Sequence, residues 1–192
     1  MTLPAPTKRI LFAGRLVARK GCGWFVREVL PLLPEEIGLD IAGTAWDERE
    51  REILAHPRVT LLGNLTQAQL AEAYAAALCV IIPNIDVPSG EFEGFGLVAP
   101  EAAAAGGVVL AADRDGLRDA VIDQETGFLL ESGNSQEWSK RIVEIANWET
   151  AARRQFVARA QRTAIERYSW QRVAQAGHDI YSSADIAESF HD

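Results

Sequence analysis

The chain has 192 residues, of which 48% are apolar and 24% charged, within the range of one globular domain and outside that of a disordered tail. Its 19 Lys and Arg against 27 Asp and Glu leave a net charge of −8, which excludes a general nucleic-acid binder. No apolar run approaches the ~20 residues that span a bilayer, the start is not a signal peptide, and Cys22 and Cys79 form no CxxC pair. A disulfide framework, a structural zinc site and a membrane span are therefore not expected, and a cytoplasmic location is.

In chain order, residues 1–8, with two prolines, read as a linker or boundary segment, and 9–192 as one domain. Arg9 to Gly14 is a short apolar run closed by glycine. Trp24, Phe25, Val26, Val29, Leu30, Leu32 and Leu33 then recur at helical spacing. The alternation returns at Leu39 to Gly43 with a polar helical stretch over 46–54, and at Val59 to Gly63 with a helix over 66–77 that opens on the capping-box residues Thr66 and Gln69. Leu78 to Pro83, Gly107 to Ala112 and Gly127 to Leu130 complete six strands, with an alanine-rich helix before the fifth. Asn134 or Ser135 caps a helix through Trp138, Ile142 and Ile145. Strands rich in Val, Ile and Leu with little alternation are buried on both faces, as in a parallel sheet. The remaining chain reads as helices over about 150–165 and 169–182; with no strand to cover, the helices from Ala151 to Tyr181 are the candidate surface for packing on something outside their own sheet. The fold class is α/β: a Rossmann-like, doubly wound parallel sheet of about six strands with a helical tail from about residue 150.

Ligands of open α/β sheets bind beyond the carboxyl ends of the strands. There the sequence places Gly14-Arg15, Gly43-Thr44, Gly63-Asn64, the stretch 83–93 and Asp113 to Gly116. Arg15 and Lys20 lie in a loop bounded by Gly14 and Gly21, within a segment, residues 1–20, that carries five cations and no acid. They suit one small dianion such as a diphosphate, and equally fit solvated surface charges. Glu93 and Glu101 enclose seven residues that include Gly94, Phe95, Gly96 and Leu97. Free amides at the start of a helix there would make an anion site, with Glu101 one turn inside, placed to accept ribose hydroxyls, and Glu93 beside the same crevice.

Together, Gly14-Arg15-Leu16 with Lys20-Gly21, Gly43, Val59 to Gly63, Glu93 to Leu97 with Glu101, Ala104 to Gly106, Thr126 to Leu130 and Tyr168-Ser169-Trp170 resemble the donor-binding, C-terminal half of family-four glycosyltransferases of the GT-B fold, over about residues 8–182. The resemblance implies that Arg15 and Lys20 neutralise a nucleotide-sugar's diphosphate, that Glu101 holds the ribose, and that Glu93 lies at the donor sugar. It also turns the amides of Gly94 to Leu97 toward sugar and phosphate, and Gly63-Asn64-Leu65 toward the base. The implied reaction is transfer with retention to a glycan, lipid or small-molecule acceptor. Fixed cations act in place of a metal or other cofactor, and the partner is an N-terminal acceptor-binding domain or a partner chain, through which peripheral membrane association can arise. The chain departs from the family at Asp115-Gly116, where Gly-Gly is usual, and leaves no room for the acceptor domain. The alternative is a module that holds a nucleotide-sugar, or docks on a partner, without catalysis.

Two further readings are open. Asp113-Arg114-Asp115 matches the Asp-x-Asp with which GT-A enzymes hold a divalent metal. Trp46 is placed to border the ligand. A nicotinamide site is disfavoured, because Gly14 to Gly21 is not Gly-x-Gly-x-x-Gly. Cys22 and Cys79 read as core thiols, and Trp24, Trp138, Trp148 and Trp170 as helix packing residues; His56, His178 and His191 have no metal spacing.

Overall fold

The computed structural model describes residues 6–44, 48–88 and 96–168. Six strands, β1 (Arg9–Ala13), β2 (Gly38–Ala42), β3 (Val59–Gly63), β4 (Val80–Ile82), β5 (Val109–Ala112) and β6 (Gly127–Leu130), form one sheet in the order β3-β2-β1-β4-β5-β6. Every pairing is parallel. This is the Rossmann order, whose switch point falls between β1 and β4, where successive crossovers diverge to opposite sides and leave a crevice.

Among the described residues, seven α-helices connect and follow the strands: α1 (Cys22–Trp24), α2 (Glu48–Arg51), α3 (Gln67–Ala76), α4 (Val98–Ala105), α5 (Leu117–Ala120), α6 (Ser135–Ala146) and α7 (Thr150–Tyr168). The helical run after β1 is irregular: α1 passes into a π turn over Phe25–Val29 and a 3-10 turn over Leu30–Leu32. Pro31 accounts for this, since it lacks the N–H of an α turn and its ring would crowd the carbonyl of Arg27, four residues back. At α3 the capping box forms in full, with Thr66 and Gln69 each satisfying the other's amide. At α6 the cap is Asn134, whose side chain accepts from the Glu137 amide.

Both faces of β4 and β5 are buried, and β1 contributes Ile10, Leu11 and Phe12 to the same core. The expectation of full burial fails at β3. It is an edge strand, and Leu61 and Leu62 are 46% and 38% exposed. Helix α7 packs along α4, with Phe156, Val157, Ala160 and Ala164 buried. Polar ties hold it there: Arg153 donates to the Ala77 carbonyl, Gln161 to that of Ala104, and the Tyr168 hydroxyl to that of Asp119. Phe156 stacks on Phe128 at 5.1 Å between ring centroids, and Trp148 closes the cluster from the loop between α6 and α7 rather than from a helix. The helix expected over 169–182, with Trp170, lies outside the described residues, as does Trp46.

Phe156→Ala is expected to cost ~3–5 kcal/mol of unfolding free energy, the usual price of deleting a buried aromatic ring. Urea unfolding of variant and parent measures it. A loss under 1 kcal/mol would mean that α7 is docked only loosely.

Candidate functional site at the carboxyl edge of the sheet

The carboxyl ends of β1, β2 and β3 are stitched together by backbone contacts. The Gly14 amide donates to the Ala42 carbonyl, the Leu16 amide to that of Thr44, and the Gly43 amide to that of Gly63. Gly43, at φ 144°, lies so close to Gly14 that a Cβ would stand 2.0 Å from the Gly14 carbonyl oxygen. The loop after β1 is tied to the other side of the switch point as well. A Cβ on Gly21, whose φ is 70°, would stand 1.8 Å from the Pro83 carbonyl oxygen, and the Ile85 amide donates to the Arg19 carbonyl at 3.1 Å. Only glycine permits approaches this close.

From this framework the loop presents the exposed Arg15, and Lys20 at the end of the 3-10 turn Ala18–Lys20. Thr44 and Asn64 are exposed beyond β2 and β3, and Leu65 packs partly against the core. Across the switch point, Gly96 is buried with φ 70° and Leu97 is 60% exposed at the N-cap of α4, where no side chain caps the first turn among the described residues. The sequence-predicted Gly14, Arg15, Lys20, Gly43, Thr44, Gly63, Asn64, Leu65, Gly96, Leu97 and Glu101 thus share one edge of the sheet. Glu93, Gly94 and Phe95 lie outside the described residues.

Glu101 sits in the first turn of α4, near Tyr74 of α3. Partial burial lifts its carboxyl above the usual glutamate range, and its charge adds to the burial that raises the Tyr74 phenol. The two cysteines are core thiols, as expected; burial pushes Cys79 up to about 12, opposed by the charge of Arg153, and holds Cys22 well above the ordinary thiol value.

Beyond β5 the Asp-x-Asp segment is engaged by arginines. Arg118 Nε donates to Asp113 at 2.6 Å, and Arg114 bridges Asp115 at 2.9 Å and Asp86 at 2.7 Å. Asp115 adopts φ 46°, the left-handed backbone that a glycine would take. These groups line a depression of about 600 Å³, with Glu131, Ser132 and Glu137 on its far side. Each carboxylate of the Asp-x-Asp is thus paired with a guanidinium. Sequence reasoning did not find the Arg114–Asp86 tie, which joins residues 28 apart and has no periodic signal.

Residues 7–147 match the family model for glycosyl transferases group 1. A D-inositol 3-phosphate glycosyltransferase of Xylanimonas cellulosilytica is 35% identical over 191 residues, 95% of this chain and 44% of that protein. Among solved structures, Anabaena Alr3699/HepE, in complex with UDP and glucose, superposes with a TM-score of 0.77 at 23% identity, covering 92% of this chain and 48% of that one. A glycosyltransferase from Rickettsia africae gives 0.78 at 20% identity over 94% and 48%. Both share the GT-B fold, in which this sheet is one half. The chain spans less than half the length of the curated relative.

Since burial raises the Glu101 carboxyl, its proton is bound more tightly in the folded state than in the unfolded one. Its contribution to stability is therefore present at low pH and lost as pH rises through the elevated folded value. Carbon-detected NMR titration should show Glu101 among the last glutamates to ionise, with the signal absent in Glu101→Gln. Titration in step with the fully exposed glutamates would place that carboxyl in open solvent.

Proposed function

The chain belongs to the group 1 glycosyl transferases, and from that membership we propose that it is the donor-binding half of an enzyme that moves a sugar from a nucleoside diphosphate sugar to an acceptor, with retention at the anomeric carbon. One observation carries the reading. The basic loop after β1 is fastened by Gly21, Pro83 and Ile85 to the segment after β4, and so holds Arg15 and Lys20 at the carboxyl edge of the sheet, the edge on which α4 also begins.

The chemistry needs positive charge where the leaving diphosphate gains negative charge as the glycosidic bond breaks. Arg15 supplies a planar fork of donors and Lys20 a compact ammonium. The amides that begin α4 at Gly96 and Leu97 add fixed dipoles that need no reorganisation. Glu101 accepts the ribose hydroxyls, and Gly63-Asn64-Leu65 borders the base. Glu93 attends the sugar. With these cations in place no metal is required. UDP is the nucleotide to test first, because Anabaena HepE is solved with it. Two buried, unpaired thiols favour a reducing compartment, and among the described residues no helix is long and apolar enough to cross a membrane; we place the reaction in the cytoplasm.

Calorimetry with EDTA present should show UDP binding to the 192-residue chain. Arg15→Ala and Lys20→Ala should each weaken it by ~1.5–3 kcal/mol, about ten- to a hundredfold, as for a charge-assisted hydrogen bond. Uridine should barely respond. Equal losses for nucleoside and diphosphate would assign the effect to the fold, and a metal requirement would overturn the role given to the two cations. Glu101 accepts most strongly, and through both oxygens, when ionised, so affinity should fall with falling pH sooner than an ordinary carboxylate would allow.

Transfer also needs an acceptor held in line and water kept out, and proximity supplies ~7–11 kcal/mol of such a barrier. The chain alone is expected to bind donor and hydrolyse it slowly at most. Acceptor-dependent transfer should appear when an N-terminal half is joined to it or added as a separate chain. Assays with labelled donor and a panel of acceptors decide this, and efficient transfer by the 192 residues alone would show that the acceptor site lies on this domain.

A further inference from the structure

In a Rossmann sheet the helix after the first strand points its amino end at the ligand, and its unpaired amides with the helix dipole commonly hold a phosphate there. In this chain that end is occupied from within. The helical run starts at Cys22, with Gly21 as N-cap and no side-chain cap of its own. The carboxylate of Glu50, carried over by α2 from the next βα unit, accepts from the Gly23 amide at 3.0 Å. Glu50 is only 5% exposed. Its other oxygen lies 3.9 Å from the Arg27 guanidinium, one turn along the same helical run. A Cβ on Gly23 would stand 2.3 Å from the nearer oxygen, so the glycine is what lets the carboxylate reach the backbone. A buried carboxylate is costly unless its hydrogen bonds and a counter-charge compensate it, and here the amide, the helix end and Arg27 do so.

We propose that Glu50 is a positioning residue: an internal anion seated at the amino end of the first helix, where the related folds seat a phosphate, that fixes the Arg15–Gly21 loop and leaves the donor's diphosphate to Arg15, Lys20 and the first turn of α4. A phosphate brought to the first helix would meet this carboxylate as a like charge at close range. That is the physical reason the loop has no need of Gly-x-Gly-x-x-Gly. It carries its cations on side chains instead, because the amides nearest α1 are already engaged. The proximity of the carboxylate also shows at Cys22, whose thiol is raised first by burial and then by the charge of Glu50. The part of this inference that concerns the diphosphate rests on the donor reading above; the part that concerns the loop does not.

Amide hydrogen exchange on the 192-residue chain tests the loop directly. Glu50→Ala should speed exchange at Gly23 and across residues 15–21 by about tenfold, the loss of one capping hydrogen bond, while β4 and β5 keep their protection. Glu50→Gln retains an oxygen that can accept from Gly23 and should stay within about threefold of the parent. In calorimetry, Glu50→Ala should weaken UDP by about tenfold and leave uridine unchanged, with Glu50→Gln restoring most of the loss. Glu50→Asp, which withdraws the carboxylate by one methylene, serves if the alanine variant does not fold, and should loosen Gly23 in the same way. Unchanged exchange at Gly23 in these variants overturns the inference. So does a uniform rise that includes β4 and β5, which would make Glu50 a residue of general stability. A parent chain that binds no UDP would sink the donor reading, and the exchange comparison would still decide the role of Glu50.

Discussion

The site depends on main chains brought into contact at the carboxyl edge of the sheet. Gly43 lies against the Gly14 carbonyl and Gly21 against that of Pro83, each closer than any side chain would permit. With hydrogen bonds between the same segments, these contacts join the ends of β1 and β2 to the stretch that leaves β4. The loop bearing Arg15 and Lys20 is therefore braced on both sides of the switch point. A loop so held loses less conformational entropy when its side chains close on an anion, and that entropy otherwise opposes each new contact.

The charge distribution follows from the same arrangement. A net charge of −8 would repel a nucleotide at long range, yet at physiological salt this field is screened beyond ~8 Å. On the donor reading proposed above, a bound diphosphate would experience its immediate surroundings: two cations from the first loop and the amides of α4. The neighbouring acids are arranged to interfere little. Asp86, Asp113 and Asp115 are held by Arg114 and Arg118, and Glu50 is paired with Gly23 and Arg27. An acidic protein can keep a local anion site when its nearest carboxylates already have partners.

The strands and most helices were legible along the chain because they rest on local signals: apolar runs ended by glycine, the Thr66 and Gln69 box, the 3.6-residue period of Trp138, Ile142 and Ile145. The cation loop and the Glu101 helix were legible because the carboxyl edge of such a sheet is where ligands go. The exposure of β3 was not, since Val59 to Leu62 is as apolar as a central strand and only pairing reveals an edge. Nor was the docking of α7, whose buried face of Phe156, Val157, Ala160 and Ala164 is too rich in small residues to stand out against its many charges. Trp148 was misplaced for a similar reason: its neighbours are helical on both sides, and it lies in the short connection between them. Glu50 lies within an acidic stretch where any of several glutamates would read alike. Its role arises from a contact 27 residues away in sequence.

With α7 packed against α4, apolar surface on that flank of the sheet is covered by the chain itself, and the carboxyl edge is left as the face where Arg15, Thr44, Asn64 and Leu97 remain open to water. Openness suits binding, because a nucleotide can enter without the fold having to move. It does not suit transfer, in which an oxocarbenium-like centre must meet an acceptor hydroxyl before it meets water. On the donor reading proposed above, the openness that lets this edge take a nucleotide would make it a poor reaction vessel until a second surface closed over it. Leu97, 60% exposed beside the first turn of α4, stands where such a surface would gain from contact. Water excluded there would leave the same cations and amides acting at lower effective dielectric, where each contributes more to the charge developing on the leaving diphosphate.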